Sequence, residues 1–412
     1  MQYKITPPQK IKGTVLLPTS KSISNRALIL NALSNSSYDI KNLSDCDDTN
    51  VMVTAFSSKN TTIDVKAAGT AMRFMTAYLA HLPGEWTITG TERMRQRPIQ
   101  ILVDALVSLG AKIEYLEKSG CPPLKIRGTA LDGGEIKLSG EVSSQFISAL
   151  LMIAPTMSKG LVIHLEGDVI SVPYIKLTLG MMAQFGVKTS WEGNNIKIYH
   201  ESYKPTPYTV EADWSAASYW YEIAALSNDA EFELKGLFKD SMQGDSKVAE
   251  LFVDLGVHTD YTDTGVIIKK KGKATKKFFH NFVNEPDLAQ TLAVTCCMMG
   301  IPFLFTGLQS LKVKETDRIE ALKNELCKLG YVLRDSNNSV LEWNGELVEQ
   351  EADPVIKTYE DHRMAMAFAP VAIKRGNINI AHPSVVTKSY PRYWDDLQKA
   401  GFIIEDLSDK LK

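Results

Sequence analysis

Five cysteines in 412 residues, none of them in a CxxC pair, leave the chain without a disulfide framework or a thiolate metal cradle and fit a reducing compartment. Cys296 and Cys297 stand inside an apolar helical run and are expected in the core. The seven histidines show neither HxxxH nor HxH spacing, which sets aside a dedicated zinc site. Neither sign of charge dominates: 46 basic and 48 acidic residues give a formal charge of −2, against the footprint of a nucleic-acid binder. The lysine-rich "KKKGK" near residue 270 reads as a solvated hairpin. The most hydrophobic windows, such as Phe146 to Pro155, are too short to cross a bilayer, and "MQYKITPPQK" lacks the apolar stretch of a secretory signal. A cytoplasmic protein without membrane or nucleic-acid partners is therefore expected.

What the chain does contain is a period. Five amphipathic segments each end in a residue-Gly pair followed by a strand-like run: "LVDALVSLGAKIEYLE", "IKLTLGMMAQFGVKTSW", "KVAELFVDLGVHTDY", "IEALKNELCKLGYVLRD" and "YWDDLQKAGFIIED". Their glycines, Gly110, Gly186, Gly256, Gly330 and Gly401, recur about every 70 residues. A second series runs in phase with them, each member a polar turn opening onto an apolar helix: "AGTAMRFMTAYLA", "SSQFISALLMIA", "DWSAASYWYEIAAL", "EPDLAQTLAVTCCMMG" and "DHRMAMAFAPVAI". With β-rich stretches such as "EWTITG" and "PFLFTGL" between them, each unit holds two helices and several strands, which makes an α/β fold.

About six such units fill the chain, the first abbreviated, and a chain too long for one conventional core predicts two lobes of three units each. The boundary should fall near "YKPTPYTVEAD", where prolines and tyrosines interrupt the helical pattern. The expected division puts residues 14–211 in an N-terminal lobe and residues 1–13 with 212–412 in a C-terminal lobe, joined by a two-strand hinge.

The helix openings carry the chemistry. A helix start presents unpaired N–H groups and the positive end of its dipole, so it attracts phosphate and carboxylate. "SKSISNRAL" offers Lys21, Ser22 and Arg26 there, with Ser20 or Ser22 as the cap and with Ser22 and Arg26 four apart on one face. It lacks the GxxxxGK[ST] spacing of a nucleotide P-loop. "KVKETDRIEALKNEL" places Lys314, Glu315 and Arg318 on the first turn and a half of a helix, and "DHRMAMAF" puts Asp361, His362 and Arg363 before an apolar one. "RMRQRPIQILVDAL" brings Arg93, Arg95 and Arg97 to a proline-started helix, and "SSQFISALL" supplies two hydroxyls and an amide. Helices in equivalent positions of a repeat point their starts in a common direction. An anion-lined cleft is therefore expected, in which Lys21, Arg97, Lys314, Arg318, Arg363 and Lys388 grip phosphates and carboxylates.

These motifs, "SKSISNRAL", "AGTAMRF", "RMRQRPI", "SSQFISALL", "SVPYI", "KVKETDRI" and "DHRMAMAF", stand in the order in which they occur in the enolpyruvyl transferases that act on shikimate 3-phosphate, and the sequence resembles that family over nearly its whole length. The resemblance implies a two-lobed inside-out α/β barrel, each lobe three βαβαββ repeats. It implies joining of shikimate 3-phosphate to phosphoenolpyruvate (PEP) through a tetrahedral intermediate, with release of phosphate, in aromatic amino acid biosynthesis, by a monomer without metal or organic cofactor. By motif position, Lys21, Gly69, Thr70, Arg97, Gln145, Arg318, Arg363 and Lys388 would hold PEP. Ser22, Arg26, Ser143, Ser144, Gln145, Ser171, Tyr174, Asp287, Ser310 and Lys314 would hold shikimate 3-phosphate. Ala67 and Ser310 stand where asparagines are usual, and Val172 replaces a basic residue, so the fine shape of the PEP pocket departs from the family pattern.

Such a transfer needs a base for the hydroxyl and an acid for the methylene carbon. Asp287 is read as the base and Glu315 as the main proton donor and acceptor, with Lys21 as the alternative acid. Two other readings were open to the residues. The sister transferase acting on UDP-N-acetylglucosamine usually opens with Lys-Asn where this chain has Lys21-Ser22, and a non-catalytic metabolite sensor would have no need to keep Asp287 and Glu315 among the cations.

Overall fold

The computed structural model describes residues 1–408, and the chain divides into two compact units, one of residues 19–210 and one of residues 1–18 with the chain from Glu211 onward. The chain crosses between them after Pro18 and after Val210. The first crossing lies later than the one expected after Gly13. Its cause is the strand Ile11–Leu16, which pairs in parallel along its whole length with Ala230–Lys235 of the C-terminal unit.

The period in the sequence is the period of the fold. Gly110, Gly186, Gly256, Gly330 and Gly401 all adopt φ between 82° and 104°, the left-handed conformation that ends a helix and that only glycine takes without strain. The second series forms the helices Gly69–His81, Ser144–Ile153, Trp214–Leu226, Ala289–Met298 and His362–Phe368, all largely buried because their sequences are apolar on every side.

Five four-stranded sheets repeat one pattern, a parallel pair followed by two antiparallel neighbours. In the N-terminal unit these are Thr62–Asp64, Gly84–Thr89, Leu124–Gly128 and Lys112–Tyr115, and then Gly134–Ser139, Leu161–Glu166, Asn195–Ile198 and Thr189–Glu192. The abbreviated first repeat contributes the helices Lys21–Leu33 and Asp47–Ser57 and, in place of a sheet, a bridge between Lys41 and Thr209.

The C-terminal unit holds three sheets, and its last one is completed from the other end of the chain. Gln2–Thr6 inserts between Ile378–Ala381 and Ile403–Asp406, antiparallel to both, with Ile5 fully buried. The core of this unit runs through the aromatic side chains Trp214, Trp220, Phe232, Phe252 and Tyr393. Among the described residues no helix is long and apolar enough to cross a membrane.

Candidate active site

In the N-terminal unit the helix Lys21–Leu33 starts at Lys21, capped by Ser20, whose hydroxyl accepts from the Ile23 N–H at 3.4 Å. Lys21 is thereby fixed at the positive end of the helix, and its Nζ lies 3.2 Å from Asp48 Oδ2, a buried carboxylate. Arg26, one turn on, is buried and ties three helices together. Its guanidinium donates to Thr178 Oγ1 at 2.7 Å, the Ser22 carbonyl at 2.9 Å, Ser148 Oγ at 3.1 Å and the Tyr174 carbonyl at 3.4 Å. Burial lowers its pKa to about 10, since these acceptors are neutral.

Nearby backbone is shaped for close approach. A Cβ on Gly69 would lie 2.6 Å from Arg97 Nη1, so only glycine lets the guanidinium sit against the start of the helix Gly69–His81. Arg97 Nε is buried without a hydrogen-bond partner, a donor aimed at nothing the protein supplies. Gln145 Nε2 donates to Thr70 Oγ1 at 3.2 Å, which joins the openings of the helices Gly69–His81 and Ser144–Ile153. Ser143 caps the latter, and Ser144 is buried beside it. Ser171, also buried, holds φ at 54° where the helix Val172–Gln184 begins, and Tyr174 lies in that helix's first turn. Such a conformation in a residue other than glycine costs on the order of 1–3 kcal/mol and is held by its surroundings.

The "RMRQRP" arginines part company. Arg97 joins Gly69, whereas Arg95 pairs with Glu117 on the surface and Arg93 is exposed. Nor does Pro98 start the helix, which begins at Gln100 with Ile99 as its cap.

The C-terminal unit brings its predicted residues into one charged cluster. Arg318, 1% exposed, donates through Nε to Asp361 Oδ2 at 2.7 Å, through Nη1 to Asp287 Oδ1 at 2.9 Å and through Nη2 to Glu315 Oε2 at 3.0 Å. Arg363 Nη2 is 2.9 Å from Asp287 Oδ2, Lys314 Nζ is 3.6 Å from Asp287 Oδ1, and Lys388 Nζ is 3.4 Å from Glu315 Oε1. Burial disfavours ionisation of Asp287, but Arg363, Lys314 and Arg318 outweigh it and hold its carboxyl well below the usual carboxylate range.

Lys314 and Glu315 do not lie on a helix. The helix starts at Arg318, because Asp317 takes the cap position and its carboxylate accepts from the Glu320 N–H at 3.1 Å. The preceding Gln309–Val313 forms a 3₁₀ turn that contains the half-buried Ser310.

Asp48, Tyr219 and Asp245, absent from the sequence reading, belong to these clusters, as does Asp361, which was read only as part of a helix opening. Asp48 partners Lys21, and Asp361 both caps the helix His362–Phe368 and grips Arg318. The Tyr219 hydroxyl accepts from Arg363 Nη1 at 3.3 Å, and burial pushes its pKa up to about 12. Asp245 is buried, accepts from the Ser215 hydroxyl, and is pushed up to about 7 by burial and by the Asp287 charge. Its signal was present: "SMQGD" opens the segment that ends at Gly256, one more start in the same series.

Comparison with known proteins shows the family. The family model described as EPSP synthase (3-phosphoshikimate 1-carboxyvinyltransferase) matches residues 5–58 and 55–397. A 3-phosphoshikimate 1-carboxyvinyltransferase of Bacteroides fragilis is 60% identical over 406 residues, covering 98% of this chain and 99% of the relative. That of Shewanella sediminis is 35% identical, covering 96% and 98%. The solved EPSP synthase of Acinetobacter baumannii superposes with a TM-score of 0.79 at 22% identity, over 98% of this chain and 100% of the other.

Proposed function

The chain belongs to the EPSP synthase (3-phosphoshikimate 1-carboxyvinyltransferase) family, and we propose that it transfers the enolpyruvyl group of PEP to the 5-hydroxyl of shikimate 3-phosphate. The observation that carries this reading is Asp287, a single carboxylate gripped by Arg318, Arg363 and Lys314. Cations so arranged are built for anionic substrates, and an ionised carboxylate among them has lone pairs open to a proton once bound anions offset the cationic field that lowers its basicity.

In this reading Asp287 accepts the hydroxyl proton while the hydroxyl oxygen bonds to C2 of PEP. Glu315 delivers a proton to C3, giving a tetrahedral intermediate that carries both the new ether and the phosphate. Glu315 then takes a proton back from the C3 methyl as the C2–O bond to phosphate breaks, which restores the double bond. The hydroxyl proton held by Asp287 passes to the departing phosphate, so that inorganic phosphate is released and both carboxyl groups end as they began. Lys21, at its helix start, is the alternative acid for C3.

The cations Lys21, Arg97, Arg318, Arg363 and Lys388 are assigned to the phosphate and carboxylate of PEP, with Gly69, Thr70 and Gln145 beside Arg97. Ser22, Arg26, Ser143, Ser144, Gln145, Ser171, Tyr174, Asp287, Ser310 and Lys314 are assigned to shikimate 3-phosphate. Arg97 Nε, buried and unpartnered, supports the first assignment, and the strained Ser171 supports the second. The chain is further proposed to act in the cytoplasm as a monomer, with no cofactor.

The test is phosphate release from PEP by the purified protein, offered either shikimate 3-phosphate or UDP-N-acetylglucosamine. Release with the first acceptor alone is expected. Release with the sugar nucleotide, or with neither, would refute the reading.

A further inference from the structure

We propose that Glu325 is a positioning residue for the PEP-binding cations: it holds the left-handed pair Tyr359–Glu360 against the helix Arg318–Lys328 and so sets where Asp361 and Arg363 begin. The inference rests on the assignment of Arg318 and Arg363 to PEP given above.

Two consecutive non-glycine residues, Tyr359 at φ 53° and Glu360 at φ 56°, lie directly before Asp361. Each such residue is uncommon, and a pair persists only where its surroundings over-determine it. The restraint here is Glu325, a fully buried carboxylate to which no substrate contact is assigned. Its Oε1 accepts from the Tyr359 hydroxyl at 2.7 Å, and its Oε2 accepts from the Lys357 N–H at 3.0 Å and from Lys328 Nζ at 2.5 Å. Lys328 Nζ also donates to the Val355 carbonyl at 2.9 Å, which extends the clasp along the same segment.

Arg318 and Glu325 stand seven residues apart on one helix, two turns or roughly 10 Å along one face. Both reach the same short segment, Arg318 gripping Asp361 while Glu325 grips Lys357 and Tyr359. The segment is bracketed at both ends, and the left-handed pair lies inside the bracket. Asp361 then caps its helix by accepting from the Arg363 N–H at 2.9 Å, so a slip of the segment moves Asp361, Arg363 and the Arg318 guanidinium together.

A carboxylate is the group this clasp requires. Every contact made to Glu325 is a donor, and a carboxylate accepts at both oxygens, whereas an amide must turn its NH₂ toward one of those donors. Glu325→Gln therefore loses one side of the clasp while keeping the side chain's volume. Tyr359→Phe loses the hydroxyl alone. Glu360 is exposed, and Glu360→Gly makes the left-handed conformation intrinsic to the chain.

The experiment is steady-state phosphate release with each substrate titrated in turn, together with thermal melting, for Glu325→Gln, Tyr359→Phe and Glu325→Gln/Glu360→Gly. The expected result is a PEP KM raised about tenfold in Glu325→Gln and several-fold in Tyr359→Phe, with the shikimate 3-phosphate KM within twofold of wild type. In the double variant the added glycine should recover most of the PEP KM. An unchanged PEP KM in folded variants, an equal rise in both KM values, or no recovery by Glu360→Gly would each overturn the proposal. Should Glu325→Gln fail to fold, Tyr359→Phe decides by the same criteria. A wild-type protein that releases no phosphate refutes the functional reading, whereas an active wild type with unshifted variants refutes only this inference.

Discussion

Asp287 meets Arg363 through one oxygen and Arg318 and Lys314 through the other, which makes it the residue most dependent on its neighbours. Asp287→Ala and Glu315→Gln are each expected to lower turnover by roughly 10²-fold or more, read as phosphate release at saturating substrates. Because the folded-state pKa of Asp287 is depressed, its contribution to stability is present above the ordinary carboxylate range and is lost as pH falls from that range down through the depressed value. Asp245 behaves oppositely. Its pKa is raised to about 7, so its contribution is present at acid pH and lost as pH rises toward neutrality. Asp245→Asn should therefore raise the melting temperature more at pH 8 than at pH 5, and an equal change at both would contradict the shift. Gly69→Ala should displace Arg97 and raise the PEP KM with little effect on melting, because the atom in the way is the end of a flexible side chain. At this scale the cations of the site were legible from helix openings. Their carboxylate partners Asp48, Asp245 and Asp361 were less so, because an ion pair across tens or hundreds of residues leaves no local spacing to read.

Among the elements, the glycines that close the helices were legible because each needs a backbone conformation that other residues resist. Gly110 has φ of 104° and nothing within 4 Å of its would-be Cβ, so Gly110→Ala should cost only the conformational strain, roughly 1–2 kcal/mol by denaturant melts. Gly128 is different: a Cβ there would lie 1.7 Å from the Leu82 carbonyl oxygen, and Gly128→Ala should destabilise by clearly more than Gly110→Ala. Helix starts were read less accurately. The cap Asp317 moved one start past Lys314 and Glu315, since a local cap decides where a helix begins more than the apolar stripe that follows it. The other start fell at Gln100 instead of Pro98, behind Ile99, which makes no side-chain cap. That residues 1–13 belong with the C-terminal lobe was legible, but the pairing of Gln2–Thr6 with Ile378–Ala381 in particular was not. Strand partners that far apart are chosen by tertiary packing, and neither strand's own pattern names the other.

For the whole molecule, the repeat carried the reading from sequence to architecture, and the residues assigned to PEP are drawn from both halves of the sequence. Arg97 belongs to residues 19–210, and Arg363 belongs to the unit that begins at Glu211. Both are assigned to PEP in the proposed function. Phosphate release should be measured with PEP titrated at saturating shikimate 3-phosphate for Arg97→Ala and, separately, Arg363→Ala. A PEP KM raised about tenfold or more in both is the predicted result. A PEP KM equal to wild type in either variant would contradict it.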